Sequence, residues 1–178
     1  MTSPSHSIWG SKYKFKRQDE WFMSGATLLL FGEIRQPESK YVLVPRHSSE
    51  NRTYVPMAFF MPDFIVSDSC MAVPNATLYH FGVLISMMHM TWMRQVCGRI
   101  KSDYRYSAKL VYNNFPWPDN PSQAKIERVE QAAQKVLDTR EKFQSKGSSL
   151  ADLYDPLVMP RELVQAHNKL LEFCDRRG

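Results

Sequence analysis

Between Arg94 and Lys109 the chain carries five basic side chains, Arg94, Arg99, Lys101, Arg105 and Lys109, and one acid, Asp103, with Tyr104 and Tyr106 set among them. If this stretch is extended, the two-residue period of a strand sends Lys101, Asp103 and Arg105 to one side. A long cation, a short carboxylate and a guanidinium in a row match the base edges of a DNA major groove. Arg or Lys donates to guanine O6 and N7, and Asp accepts from cytosine N4. The plain alternative is a solvated loop with a Lys–Asp or Asp–Arg surface pair worth ~0–1 kcal/mol, and spacing alone favours it. Two further polar sets, "RHSSENR" at 46–52 and "SDS" at 67–69, each end an expected strand.

A second stretch raises the question of catalysis. "VYNNFPWP" at 111–118 sets two amides ahead of a Phe-Pro-Trp-Pro run. Base-flipping adenine methyltransferases use an Asn-Pro-Pro-aromatic loop, whose amide and carbonyl meet the target amino group while the aromatic ring stacks on the base. Here Phe115 stands where the first proline would, and no Gly-rich cofactor turn precedes it. The structural reading is stronger: Phe115 and Trp117 bury against helices while Pro116 and Pro118 stiffen the backbone. "HSSE" at 47–50 reads as a polar loop, because a nucleophile needs its base in space rather than in sequence. His80 and His89, about two and a half helical turns apart, lie on different faces and cannot share a metal. They read as packed, hydrogen-bonded core residues. No phosphate loop, HExxH, GxSxG or EF-hand pattern occurs.

The elements that must position these residues follow from patterning. With 178 residues, 43% hydrophobic and 23% charged, the chain suits one domain, or one with a helical appendage. A net charge of +5 favours an acidic partner. Cys70, Cys97 and Cys174 fit neither a disulfide scaffold nor a zinc site, and suit a reducing cytoplasm. The apolar stretch 78–97 contains His80, His89, Arg94 and Gln95, which makes it a buried helix rather than a membrane span.

Residues 1–16 read as a disordered or tag-like lead, 17–34 as a helix and 35–39 as a turn. Short runs rich in Val, Ile, Phe and Tyr predict strands at 40–45, 52–60, 63–67 and 70–74, with Pro56 marking an edge or bulge. A helix at 77–97 follows, capped by Asn75 or Thr77 and closed by Gly98. A strand is expected at 108–115. Beyond the linker "PWPDNPS", an amphipathic helix at 122–146 aligns Ile126, Val129, Ala133, Val136 and Leu137 in one stripe, and Gly147 ends it. A connector leads to a last helix at 161–177, with Pro160 at its start. The expected class is α+β: a small, mainly antiparallel sheet packed on the long apolar helix, followed by a helical C-terminal module.

The stretches "FGEIRQPESKYVLVPRHSSENRTYVPMAFF", "SDSCMAVPNATLYHFGVLISMMHMTWMRQVCGRIKSDYRYS" and "VYNNFPWP" closely resemble the target-recognition domain of MmeI-like (type IIL) restriction–modification enzymes. "SLADLYDPLVMPRELVQAHNKLL" resembles the helical C-terminal module of the same family. These are bacterial single chains that cut DNA and methylate adenine. The resemblance covers residues 31–178. It implies a target-recognition domain at 17–116, starting late relative to the family's, and a C-terminal module at 117–178. Such a piece is non-catalytic alone and binds double-stranded DNA. Its partners would be the methyltransferase and nuclease domains of a parent chain, where S-adenosylmethionine and Mg2+ would bind.

By the same resemblance Lys101 and Asp103 match a pair that reads one base pair, and Arg105 matches a nearby reading position. Arg46 and Ser67, Asp68 and Ser69 lie by the major groove. Ser48, Ser49, Arg52, Arg94, Arg99, Tyr104, Tyr106 and Lys109 are left for the DNA backbone. Two rivals stand beside this reading: a docking module with no DNA contact, and a small methyltransferase using the "NNFPWP" loop.

Overall fold

The computed structural model describes residues 36–174. The lead at 1–16, the helix expected at 17–34 and residues 175–177 of the last expected helix lie outside them. The described residues form an α+β fold with two small antiparallel sheets rather than one.

The first sheet has the order β3–β1–β4, with β1 (Tyr41–Pro45) between β3 (Ala58–Phe60) and β4 (Cys70–Pro74). All five β1 residues are buried, as expected of a Val/Leu-rich strand covered on both faces. β3 is shorter than the expected 52–60. Tyr54, Val55, Pro56 and Met57 are buried ahead of it without joining the ladder, consistent with Pro56 offering no N–H there. The strand expected at 63–67 does not form. The Gln36 side chain takes the place of a partner strand: its Nε2 donates to Pro62 O (3.2 Å) and Phe64 O (2.7 Å), and its Oε1 accepts from Val66 N (3.1 Å).

The helix expected at 77–97 is two helices, α1 (Leu78–Leu84) and α2 (Met87–Val96). Thr77 caps the first in a capping box with His80. The break lies at Ser86, whose Oγ donates to Val83 O (2.7 Å) and accepts from His89 N (3.3 Å). A buried serine thus ends one helix and N-caps the next. Gly98 is not a left-handed C′ residue: Cys97 is already extended and Gly98 opens a strand.

That strand, β5 (Gly98–Ile100), turns into β6 (Asp103–Arg105), and β6 also pairs with β2 (His47–Ser48), giving the order β2–β6–β5. The strand expected at 108–115 is instead a π-helical turn at Ala108–Tyr112. Its carbonyls are taken locally: Asn113 N donates to Ala108 O (2.9 Å), and Asn114 Nδ2 to Lys109 O (2.7 Å) and Leu110 O (3.3 Å).

Three helices complete the chain: α3 (Gln123–Gln144), α4 (Leu150–Leu153) and α5 (Arg161–Cys174). The expected α3 stripe is present, with Val129, Ala133 and Val136 buried and Ile126 and Leu137 at its edges. α3 packs on α5 and on α1. At the α1 crossing the approach is close: a Cβ on Gly82 would stand 2.8 Å from Val129 Cγ1 and 3.1 Å from Ala133 Cβ.

The stripe ends in Arg140, which is only 3% exposed. Its guanidinium donates to Met57 O (2.7 Å) and to the Tyr154 hydroxyl, which is also bonded to His167 Nε2 (2.7 Å). The His167 ring stacks on Tyr54 with centroids 4.0 Å apart. Burial, and then the neighbouring Arg140 charge, push His167 down to about 3. It is neutral at physiological pH. Among the described residues no helix is long and apolar enough to cross a membrane.

Candidate nucleic-acid interface

The β2–β6–β5 sheet sorts its side chains by strand alternation, since cross-strand partners lie on the same side of an antiparallel pair. Ser48, Tyr104 and Arg99 are in register on one side; His47, Arg105 and Gly98 on the other, with Asp103 opposite Ile100. The first side faces the core at Ser48 and Tyr104, while Arg99, on the edge strand, stays exposed. Tyr104 is buried, and the Arg99 guanidinium lies 4.4 Å from its ring centroid. Arg99 Nη1 also donates to Ser102 O (2.9 Å) and reaches Glu50 Oε2 (3.4 Å). Both ends of that ion pair are exposed, so it adds little stability. The second side faces solvent, with His47, Asp103, Arg105 and Ile100 all exposed.

Lys101 does not continue the alternation with Asp103 and Arg105. It is the first residue of a two-residue turn, with φ +56°. A positive φ at the first loop residue alone matches a type II′ hairpin turn, where glycine is favoured. A lysine there bears a backbone cost of order 1–3 kcal/mol. Its side chain stands at the hairpin tip beside the Asp103–Arg105 face.

Arg46 gathers the other two polar sets onto this sheet. Its N donates to Ser69 O (2.9 Å), its Nε to Cys70 O (3.2 Å), and its carbonyl accepts from Tyr106 N (2.7 Å). The 67–69 turn, which opens β4 rather than ending a strand, is thereby joined to the end of β6. Asp68 is exposed at its tip, and Ser67 and Ser69 share a hydroxyl bond of 2.6 Å. The 46–52 loop is held by Glu50 N, which donates to Asp103 Oδ1 (3.3 Å). Segments 46–50, 67–69 and 101–105, far apart in sequence, therefore form one surface.

Several residues expected at the DNA backbone have other employment. Ser48, Tyr104 and Tyr106 are 7%, 7% and 2% exposed, so they support the sheet from beneath. Tyr106 OH bonds His89 Nε2 at 2.9 Å. Burial lowers His89 to about 4 and raises Tyr106, so both are neutral. Arg94 Nη2 donates to Thr53 O, and Arg52 Nη2 reaches Ala151 O at 3.5 Å. These two arginines brace the 49–53 loop against α2 and α4. Ser49, Arg99 and Lys109 keep accessible positions.

Sequence patterning missed His47 and Ile100 on the outer face, because "KS" is a poor hairpin signal and the turn went unread. It also missed Arg140, although the spacing 129, 133, 136, 140 continues the apolar stripe. In "NNFPWP", Phe115 is 4% exposed and meets Trp117 edge-on at 5.2 Å, while the Asn114 amide caps the π-helical turn. These contacts are structural.

The family model described as "MmeI, target recognition domain" matches residues 16–119, over half of the chain, and "MmeI, C-terminal domain" matches 121–176. DNA methyltransferase A of Bacillus subtilis (strain 168) is 44% identical over 146 residues, covering 82% of this chain and 16% of the relative. A solved structure of the type IIL restriction-modification enzyme MmeI in complex with DNA superposes with a TM-score of 0.77 at 44% identity. That match covers 82% of this chain and 19% of the other. The chain thus spans less than a fifth of either protein.

Proposed function

The chain belongs to the MmeI target-recognition family, and from that premise we propose that it reads a specific DNA sequence through the outer face of the β5–β6 hairpin. One observation carries this reading: Lys101, Asp103 and Arg105 project from a hairpin to which Arg46 and the 67–69 turn are tied by backbone bonds. Lys101 donates to a guanine while Asp103 accepts from the paired cytosine. Arg105 reads a neighbouring base, and Arg46 with Ser67, Asp68 and Ser69 contacts bases beyond it. Ser49, Arg99 and Lys109 meet phosphates, setting affinity and its salt dependence without conferring sequence preference.

On this reading the chemistry belongs to other parts of a parent enzyme in a bacterial cytoplasm. These are an adenine methyltransferase domain that uses S-adenosylmethionine and a nuclease domain that uses Mg2+. The recognition segment at 17–116 and the C-terminal module at 117–178 deliver the duplex to them. The test is a charge exchange in the full-length parent, Lys101→Asp with Asp103→Lys, followed by mapping of methylated sites. The preferred G–C pair should invert to C–G at one position. An unchanged recognition sequence overturns the reading.

A further inference from the structure

We propose that Ile100 is a specificity-determining residue that reads the C5-methyl group of a thymine. The inference rests on the base-readout reading of the hairpin face. Ile100 pairs in register with Asp103 and so shares its side of the sheet with Arg105 and His47. It is 43% exposed. Met61, Leu110, Leu157 and Val158 are the other large apolar side chains exposed among the described residues, and none of them belongs to this sheet.

An isoleucine at this place adds nothing to the core, which lies under Tyr104 on the opposite side. It stands one residue before Lys101, at the last paired position before the hairpin turn. The thymine C5-methyl is the apolar feature that base pairs show in the major groove, and it is recognised by an apolar side chain against it. The chemistry therefore assigns one position of the site to A·T or T·A, next to the pair read by Lys101 and Asp103. Burying one methyl group on binding is worth a factor of about four in affinity, from ~0.8 kcal/mol per carbon.

The experiment uses the full-length parent enzyme and its selected duplex, with each thymine replaced in turn by deoxyuridine, which lacks only the C5-methyl. Competition binding is measured for the unaltered enzyme and for I100A and I100V. The substituted residue is exposed, so both variants should fold, and circular dichroism checks that they do. The expected result is one thymine whose replacement weakens binding about fourfold in the unaltered enzyme. That penalty should disappear in I100A and persist in part in I100V.

Two outcomes overturn the inference: no thymine shows a deoxyuridine penalty, or the penalty survives unchanged in I100A. Arg105→Ala in the same assay separates the two levels of the argument. If it changes the selected sequence while Ile100 has no effect, the Ile100 assignment falls and the hairpin face stands. If neither residue matters, the reading of the face falls with it.

Discussion

Replacing Lys101 with glycine should improve the hairpin and damage recognition, and that opposition is the sharpest consequence of the turn. Lys101 holds φ +56°, at a cost of order 1–3 kcal/mol that glycine does not bear. Glycine in turn adds freedom to the unfolded chain, which costs about 0.4–1 kcal/mol. The difference leaves K101G at least as stable as the parent sequence, by roughly 0–2.6 kcal/mol. Lys101 is exposed, so no packing is lost. Urea unfolding followed by circular dichroism measures this, with an unchanged slope required for the comparison.

Recognition should move the other way. Loss of the ammonium removes a contact worth about 1–3 kcal/mol of discrimination, a factor of roughly 5 to 150. The assay is competition between the selected duplex and the same duplex with its G–C pair reversed. The reasoning is refuted if K101G lowers stability by more than about 1 kcal/mol, which would mean that the lysine side chain supports the fold. It is refuted equally if discrimination is unaltered.

Three other outcomes test the frame behind the hairpin. Gly82→Ala should destabilise by about 1–3 kcal/mol through overpacking against Val129 and Ala133, and Val129→Ala in the same chain should recover part of the loss in a double-mutant unfolding cycle. Arg140→Ala removes charge-assisted bonds to Met57 O and the Tyr154 hydroxyl, each worth about 1.5–3 kcal/mol, so urea unfolding should show a loss of roughly 3–6 kcal/mol. His89 and His167 sit at about 4 and about 3 in the folded chain, below an unfolded value near 6.5. The unfolded chain therefore binds more protons between those limits, and stability is full above pH ~6.5 and falls as pH drops towards 4. From pH 7 to pH 5 each histidine should cost about 2 kcal/mol, and His89→Gln or His167→Gln should flatten that dependence.

The large elements were legible in the sequence, and the exceptions have local causes. The α3 stripe, the Thr77 cap, β1 and β4 followed from period and composition. The long apolar helix reads as one because a single serine in a run of apolar residues carries little weight. In the structure Ser86 has the geometry of a cap and divides it. The 63–67 run was strand-like in composition, yet Gln36, almost 30 positions earlier, satisfies its backbone, and local patterns cannot reveal that. The 108–115 run has the Leu, Val, Tyr and Phe of a strand, but the Asn114 amide supports a π-helical turn.

The candidate interface was half legible. Asp103 and Arg105 do share a side, as the two-residue period required. The same period would place Lys101 there too, but Lys101 occupies a turn. Composition made Tyr104 and Tyr106 interfacial because aromatics interleaved with cations suit nucleic acid. Burial makes them supports, one beneath Arg99 and the other joined to His89. What sequence could not show was the convergence of 46–50, 67–69 and 101–105, because it depends on the backbone bonds of Arg46.

The bonds that Arg140 makes to Met57 O and Tyr154, and the close approach of Gly82 to Val129, have a consequence for any transplant of the candidate interface. A transplant cut after Trp117 would carry α1 without α3 and expose a face shaped to a backbone-to-methyl fit. It would also leave the Met57 carbonyl without its guanidinium. The transferable unit is thus the recognition segment together with its C-terminal helices. Within that unit, the outward positions of two three-residue strands and one turn can be rewritten by substitution, because no core contact passes through them. A one-residue slip of β6 would instead turn Asp103 and Arg105 towards the core and Tyr104 outwards.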